Sequence, residues 1–315
     1  MNGVVEKVWF RSGDVRCAGT FYRPPGGDRH PVVVMGNGLG GVQDIALAPY
    51  AAAFMAGGLA ALTFDYRCFG ESEGHPRQHF SIAAQLADWR AAIAYAAGHP
   101  AVDPRRIALW GTSFGGSHVL TLAAAHPDIA AAVAQCPNVD FRATVLRTPP
   151  SHLLRLVMAG LADTLSRRSG RGSRPVPLVG PPTSRALMTT PDAQINYPLM
   201  AAGSATWANS VTPGFLLGLA LYRPVRRVAK IRSPLLVQVC GRDGIADPIA
   251  AHAAAVRAPE GRAELYDCDH FEIYAEPHRS RAIAGQLAFL TAMLAPVAPC
   301  LGSPAAVGAG RGGSG

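Results

Sequence analysis

Short apolar runs alternate along this chain with longer stretches in which apolar positions recur every three or four residues. The apolar runs predict buried strands at 31–35, 59–64, 106–110, 129–134, 234–240 and 263–266. The longer stretches predict helices at 45–57, 79–97, 114–125, 247–257 and 278–293. A hairpin is predicted at 4–10 and 15–22, around a Ser-Gly-Asp turn. This alternation is typical of an α/β fold whose mostly parallel sheet is covered by helices on both faces.

The alternation is interrupted between residues 141 and 230. This segment lacks strand-like runs and is rich in proline. Because long insertions at the carboxyl edge of an open α/β sheet often form lids, we expect a mostly helical cap here, with a mobile basic loop at 167–174. The predicted core consists of 1–140 and 231–295. The Gly/Ala/Pro/Ser-rich segment 296–315 is expected to be disordered.

Composition narrows the class of protein further. The chain has 315 residues, 49% of them hydrophobic, which is enough for one large core or two small domains. Six cysteines lie far apart without a Cys-x-x-Cys pair, and no signal peptide or membrane-spanning run is recognised. We therefore expect a soluble cytoplasmic protein with free thiols, and neither a nucleic acid nor a membrane as partner. Cys136 and Cys268 could lie near a site, although small buried hydrophobes are the commoner fate of such residues.

The positive charge is concentrated in the predicted cap. Of a net charge of +8, residues 141–230 carry twelve basic side chains against Asp163 and Asp192, which is +10 and leaves −2 for the remainder. One interpretation is an arginine-rich surface without a specific role. The other is an electropositive cover that attracts an anionic substrate, such as an acyl group on coenzyme A or on an acyl carrier protein.

The strand predicted at 106–110 leads directly into Gly111-Thr112-Ser113-Phe114-Gly115, which reads G-x-S-x-G. Between a strand and a helix this motif forms a sharp turn that exposes the serine hydroxyl. A Cβ at either glycine would collide with the neighbouring strand or helix. In that context Ser113 is a candidate nucleophile.

A serine nucleophile needs a base, and the base needs an acid that orients it. Asp243 follows the strand at 234–240 and His270 follows the strand at 263–266, so both are expected at the edge that carries Ser113. Two other carboxylates remain candidates for the acid that orients the base. Asp247 is expected to cap the helix that begins at Pro248, and Asp140 is an alternative acid.

Five motifs follow one another along the chain: a glycine-rich segment at 36–41, the segment 64–74, the elbow at 111–115, Gly241-Arg242-Asp243 and Asp269-His270-Phe271. In this order they resemble α/β-hydrolase-fold enzymes of the bacterial serine esterase and dienelactone-hydrolase-like kind, over roughly residues 1–295.

The resemblance implies specific roles for these residues. Ser113 would be the nucleophile, Asp243 the orienting acid and His270 the base, with the backbone N–H groups of Leu39 and Phe114 as the oxyanion hole. It implies hydrolysis of a small carboxylic ester or thioester through an acyl-enzyme intermediate, without a metal or an organic cofactor. Many relatives have His-Gly where this chain has Asn-Gly at 37–38; the segment 64–74 is expected to brace the site.

The substrate contacts and the reaction class are less constrained. Trp207, Met158 and Phe215 are candidate substrate contacts within the cap, although apolar residues at helical spacing commonly form the cap's own core. The same triad serves peptidases and hydrolases of C–C bonds, and a binding protein without turnover can share the scaffold.

Overall fold

The computed structural model describes residues 3–27 and 29–296, and their centre is one eight-stranded sheet. Its strands are β1 (Val4–Ser12), β2 (Val15–Arg23), β3 (His30–Gly36), β4 (Ala60–Phe64), β5 (Val102–Thr112), β6 (Ala131–Gln135), β7 (Leu235–Cys240) and β8 (Gly261–Tyr266). Across the sheet they follow the order β1-β2-β4-β3-β5-β6-β7-β8. The β1–β2 and β2–β4 pairs are antiparallel and all other pairs are parallel. The predicted mostly parallel sheet is confirmed.

Eight helices occur in the part of the chain that the structure describes: α1 (Leu47–Ala56), α2 (Ile82–Gly98), α3 (Phe114–Ala123), α4 (Phe141–Arg147), α5 (Pro150–Arg168), α6 (Pro191–Ala201), α7 (Pro248–Arg257) and α8 (His278–Met293). Helices α1 and α8 pack on one face of the sheet, and α2, α3 and α7 pack on the other. Within these described residues, no helix is both long enough and apolar enough to cross a lipid bilayer.

The central strands are buried on both faces, which explains their continuous apolar runs. In β3, Val32 and Val34 belong to the hydrophobic cluster on one face, whereas Val33 and Met35 belong to the cluster on the other. A strand covered on both faces does not alternate between apolar and polar residues. The carboxyl ends of the parallel strands meet at one edge, which carries the loops described below.

We use the name cap for residues 141–230. It contains α4, α5, α6 and three short 3₁₀ helices: Pro213–Leu221, Pro224–Arg226 and Val228–Lys230. Two isolated bridges, which pair Val176 with Val211 and Val179 with Met188, add a small β-type element that the sequence pattern did not predict. Of the tail expected at 296–315, all but Pro296 lies outside the described residues.

The basic stretch at 167–174 is only partly a loop, which corrects the prediction. Arg167 and Arg168 form the end of α5. Arg167 Nε donates to one carboxylate oxygen of Asp163 at 3.2 Å, and the backbone N–H of Arg174 donates to the other at 2.8 Å. Both ends of the stretch are therefore anchored on a single buried carboxylate.

Candidate active site

A sharp turn at the carboxyl end of β5 carries Ser113. Strand β5 ends at Thr112 and α3 begins at Phe114, so Ser113 stands alone between them with φ 54° and ψ −119°. Few residues other than glycine adopt a positive φ, and such strain is typical of functional sites. A Cβ on Gly111 would lie 2.4 Å from the carbonyl oxygen of Gly115, so the turn closes only around glycine. The motif thus has the strand–turn–helix geometry that the sequence predicts.

Loops after two neighbouring strands bring a histidine and a carboxylate to this serine. His270 follows β8, and its Nε2 lies 3.0 Å from Ser113 Oγ. Asp243 follows β7, and its Oδ2 lies 2.6 Å from His270 Nδ1. The side chains of His270 and Asp243 are only 4% and 2% exposed. When a hydroxyl, an imidazole and a carboxylate are hydrogen-bonded in this order, a proton can pass from the hydroxyl to the imidazole ring.

The carboxylate is itself held in place by backbone groups. Its Oδ1 accepts hydrogen bonds from the N–H groups of Ile245 and Ala246, at 2.8 and 2.7 Å, which leaves Oδ2 for His270. Burial lowers the pKa of His270, but the negative charge of Asp243, the nearby Cys136 and the hydrogen bond to Asp243 together raise this pKa above its ordinary value. The imidazolium that forms when the ring accepts a proton is therefore stabilised.

The two other candidate carboxylates have different partners. Asp140 caps α4 and forms a bidentate ion pair with Arg223, with distances of 2.9 and 2.7 Å. The Arg223 guanidinium lowers the pKa of Asp140 below its ordinary value. Asp247 caps α7 through hydrogen bonds to the first-turn N–H groups, as predicted. Of the three carboxylates, Asp243 is the one that is hydrogen-bonded to His270.

Residues 37–45, here called the oxyanion loop, connect β3 to α1. The Asn37 side chain donates from Nδ2 to the carbonyl oxygens of Val42 and Ile45, at 2.9 and 3.0 Å. Its Oδ1 accepts from the N–H of Gly38 at 2.7 Å. Asn37 is buried, so its amide is an internal brace that closes the loop. The asparagine that differs from the usual histidine thus has a structural role of its own.

The oxyanion loop lies directly against the elbow. A Cβ on Gly115 would lie 2.5 Å from the carbonyl oxygen of Asn37, and a Cβ on Gly38 would lie 3.0 Å from Ser113 Cβ. Phe114 is the first residue of α3, so its N–H has no acceptor within the helix. Leu39 lines the cavity next to Ser113. Both N–H groups named from the sequence therefore belong to segments that border the serine.

A small cavity opens in front of Ser113, between the core and the cap. Its described lining residues are Asn37, Gly38, Leu39, Ser113, Met188, Tyr197, Met200, His270, Phe271 and Tyr274. Methionine and aromatic side chains dominate the wall, and three of these residues, Met188, Tyr197 and Met200, come from the cap. A substrate that reaches Ser113 therefore contacts mostly apolar groups.

The three candidate substrate contacts from the cap are not among these lining residues. Trp207 stacks on Tyr197 with ring centroids 5.5 Å apart, so it lies behind the cavity wall. Phe215 packs on Phe80 at 4.3 Å. Met158 is 57% exposed on α5. Helical spacing identifies an apolar position but not what covers it, so a substrate contact by these three residues stays a prediction.

Behind the site lies a group of side chains that the sequence pattern only partly indicated. Cys136, Cys240 and Cys268 are buried together, following or ending three neighbouring strands. Tyr274 lines the cavity and its hydroxyl contacts Thr112 Oγ1 and, at 3.7 Å, Cys136 Sγ. Over the residues that the structure describes, no group of three or more His, Cys, Asp or Glu side chains is arranged to hold a metal ion. The place of Tyr274 in the cavity wall was not predicted, because it lies outside the motif Asp269-His270-Phe271 that precedes it.

Comparison with known proteins identifies a matching family model and similar proteins. The model of a family described as "Serine aminopeptidase, S33" matches residues 27–277. The "Quorum-quenching protein AidA" of Acinetobacter baumannii (strain MDR-ZJ06) is 39% identical over 283 residues, which cover 90% of this chain and 93% of that protein. The "Thiohydrolase aneE" of Aspergillus aculeatus (strain ATCC 16872 / CBS 172.66 / WB 5094) is 30% identical over 153 residues, 48% of this chain and 47% of that protein.

A solved structure shows the same fold. The "Alpha/beta hydrolase GrgF from Penicillium sp. sh18" superposes with a TM-score of 0.78 and 22% identity, covering 93% of this chain and 99% of that one. At this identity the likeness concerns the fold alone.

Proposed function

Because this chain belongs to the serine aminopeptidase S33 family of α/β hydrolases, we propose that it is a serine hydrolase that cleaves a carboxylic ester or a thioester. The observation that carries the proposal is the hydrogen-bonded series from Ser113 Oγ to His270 and from His270 to Asp243. The sequence of steps follows from the proton positions that this series allows.

In the first step Ser113 Oγ attacks the carbonyl carbon while its proton passes to His270 Nε2. The carbonyl oxygen becomes an oxyanion, which the N–H groups of Leu39 and Phe114 stabilise. His270 then gives its proton to the leaving alcohol or thiol, which departs as the carbonyl re-forms. In the second half, a water molecule gives a proton to His270 and its oxygen attacks the acyl carbon, which releases the acid and returns the proton to Ser113.

The cavity supports an acyl substrate over a peptide with a free amino end. An aminopeptidase has to bind an ammonium group, for which a carboxylate is the usual partner. The described lining residues include no Asp or Glu, whereas Met188, Met200 and Phe271 form an apolar wall. The name of the thiohydrolase relative adds support for a thioester, and that of the quorum-quenching relative for a small signalling molecule.

A substrate panel tests this proposal. Purified protein and its Ser113→Ala variant are compared on p-nitrophenyl esters of increasing chain length, an N-acylated lactone, acyl-CoA thioesters and an aminoacyl p-nitroanilide. We expect turnover of one of the acyl classes by the protein, none by the variant, and none of the anilide. Turnover of the anilide alone would contradict the proposed ester or thioester hydrolysis and would indicate an aminopeptidase.

Three further proposals concern the two parts of the chain, its place of action and its partner. We propose that 1–140 and 231–295 act as a core with the cap as lid, and that the protein acts in the cytoplasm. Acyl-CoA or an acyl carrier protein is the partner that the basic cap would favour. The salt dependence described in the Discussion tests this last proposal.

A further inference from the structure

We infer that the cap holds the oxyanion loop in its catalytic shape, and that Tyr197 is the positioning residue through which it does so. The inference rests on the proposed function, in which the Leu39 N–H stabilises the oxyanion. It goes beyond that function because it makes the cap part of the machinery for the chemical step, rather than a cover for the substrate alone.

The contact that carries the inference joins α6 to the middle of the loop. The Tyr197 hydroxyl donates a hydrogen bond to the carbonyl oxygen of Leu39 at 2.9 Å. Tyr197 is buried, its ring is stacked by Trp207 on one side and met edge-on by Phe271 at 5.7 Å. A ring fixed in this way directs its hydroxyl along a single line. The bond therefore restricts rotation of Leu39, whose N–H is the proposed oxyanion donor.

Two more contacts from the cap reach the same loop. Gly40 has φ +67°, and a Cβ there would lie 2.7 Å from Leu178 Cδ2, so Leu178 packs on the bare backbone. Farther along, the Asp44 carboxylate accepts from Ser204 Oγ at 2.6 Å and from the Ala205 N–H at 3.2 Å. The cap thus contacts the loop at its middle and near its end.

The core holds other points of the same loop. The Tyr66 hydroxyl donates to the carbonyl oxygen of Asn37 at 3.3 Å, and the N–H of Gln43 donates to Asp65 at 2.7 Å. These contacts flank the Leu39–Gly40 peptide without touching it. Because core contacts at Asn37 and Gln43 do not depend on the cap, a cap that shifts would release the donor while these contacts keep the loop folded.

The expected defect is one of rate rather than of binding. Tyr197→Phe keeps the ring and its packing and removes only the hydroxyl. Removing an oxyanion donor outright typically costs about 100- to 1000-fold in kcat, so loss of its positioning should cost less, about 10- to 100-fold. KM should change by less than about twofold, because the acyl-binding wall is intact.

Labelling with a fluorophosphonate tests the inference, because attack at phosphorus also develops charge on an oxygen in the same hole. The final extent of labelling at Ser113 reports the proposed function, and the rate of labelling reports the positioning. We expect Tyr197→Phe to reach the same extent as the wild type, about 10-fold or more slowly. Affinity for a trifluoromethyl ketone that forms a tetrahedral adduct should fall in parallel.

Two control variants separate this effect from general damage. Tyr50→Phe removes another buried tyrosine–carbonyl bond, to Ile273 O at 3.2 Å, away from the loop. Arg147→Gln breaks a cap–core ion pair with Asp247, 2.6 Å long, at a different place. Both should label at the wild-type rate. If Tyr197→Phe proves unstable, Asp44→Asn provides the second test, with an expected fall of about threefold.

The outcomes are distinct. No labelling of the wild type at Ser113 would remove the proposed function itself. Complete labelling of the wild type together with an unchanged rate in Tyr197→Phe and Asp44→Asn would overturn the inference and leave the proposed function standing. Equal slowing in Tyr197→Phe and both controls would also overturn it, because the effect would then be one of overall stability.

Discussion

The core and the cap both line one cavity, but their residues there lie on different kinds of structural element. The core supplies Ser113, Asp243 and His270 from the loops that follow β5, β7 and β8, and backbone hydrogen bonds tie these loops to neighbouring strands. The cap supplies Met188 and Tyr197 from segments outside the sheet: Met188 pairs with Val179 in an isolated bridge, and Tyr197 lies on α6. The difference indicates that the proposed triad lies on loops of the sheet, whereas part of the apolar wall and the contact from Tyr197 to Leu39 come from the cap.

The largest expected effect separates a carboxylate of the core from one that anchors the cap. Asp243→Asn should lower kcat by about 10⁴-fold, because His270 loses both its tautomer restraint and its counter-charge. Asp140→Asn should lower the free energy of unfolding by about 1 kcal/mol or less, because the helix cap is kept and only the ion pair with Arg223 is weakened, and it should leave kcat near its wild-type value. Steady-state kinetics and thermal unfolding of both variants measure this. A silent Asp243→Asn beside an inactive Asp140→Asn would reverse the assignment of the acid.

The second prediction compares a glycine of each region. Gly115→Ala places a Cβ 2.5 Å from the carbonyl oxygens of Gly36 and Asn37, and backbone atoms cannot yield as a side chain would. We expect a loss of about 3 kcal/mol or more in the free energy of unfolding. Gly203→Ala, in the cap, meets no atom within 4 Å and should be close to neutral. Chemical denaturation of the two variants checks the contrast, which would be lost if both changed equally.

The pH dependence of activity tests the role of His270, a residue of the core, as the base. The base must be neutral to accept the serine proton, and the pKa of His270 is raised above its ordinary value of about 6.5 by Asp243. Activity should therefore fall as pH decreases, with a midpoint above 6.5. In Asp243→Asn the residual activity should have its acid limb at lower pH, because the counter-charge is gone. A wild-type midpoint below 6.5 would contradict this account of the site.

The smallest expected effect concerns the charge of the cap. If its net charge of +10 steers an anionic substrate, kcat/KM for acyl-CoA should fall as ionic strength rises while kcat stays constant. Arg168→Gln, Arg171→Gln and Arg185→Gln combined should flatten that dependence and leave small neutral esters unaffected. Arg167 is left in place because it pairs with the buried Asp163. Equal salt sensitivity for charged and neutral substrates would favour an arginine surface without a role in steering.

Much of the core could be predicted because its signals are local. A strand buried on both faces is a continuous apolar run, and the elbow needs glycine at two fixed positions. The sequence therefore predicts the end of β5, the turn at Ser113 and the start of α3. The proposed boundary between core and cap is the place where that pattern ends in the sequence. The extent of β5 was less accurate, since it begins at Val102 rather than at 106.

The cap's contribution to the site could not be predicted in the same way. Tyr197 reaches the loop because α6 crosses it, and nothing near residue 197 in the sequence specifies residue 39 as its partner. Met158 and Trp207 are apolar residues of the same kind, yet one is exposed and the other lies behind the wall. Composition identifies what can pack, whereas tertiary contacts decide where it packs.

The proposal that Ser113 is the nucleophile can be tested directly by locating the residue that a fluorophosphonate modifies. Protein treated with a fluorophosphonate is digested, and the modified residue is located by mass spectrometry, with Ser113→Ala treated in parallel. We expect one phosphonyl group per chain, on Ser113, and none in the variant. Stoichiometric labelling of Ser113→Ala at another residue, or esterase activity that survives in that variant, would contradict it.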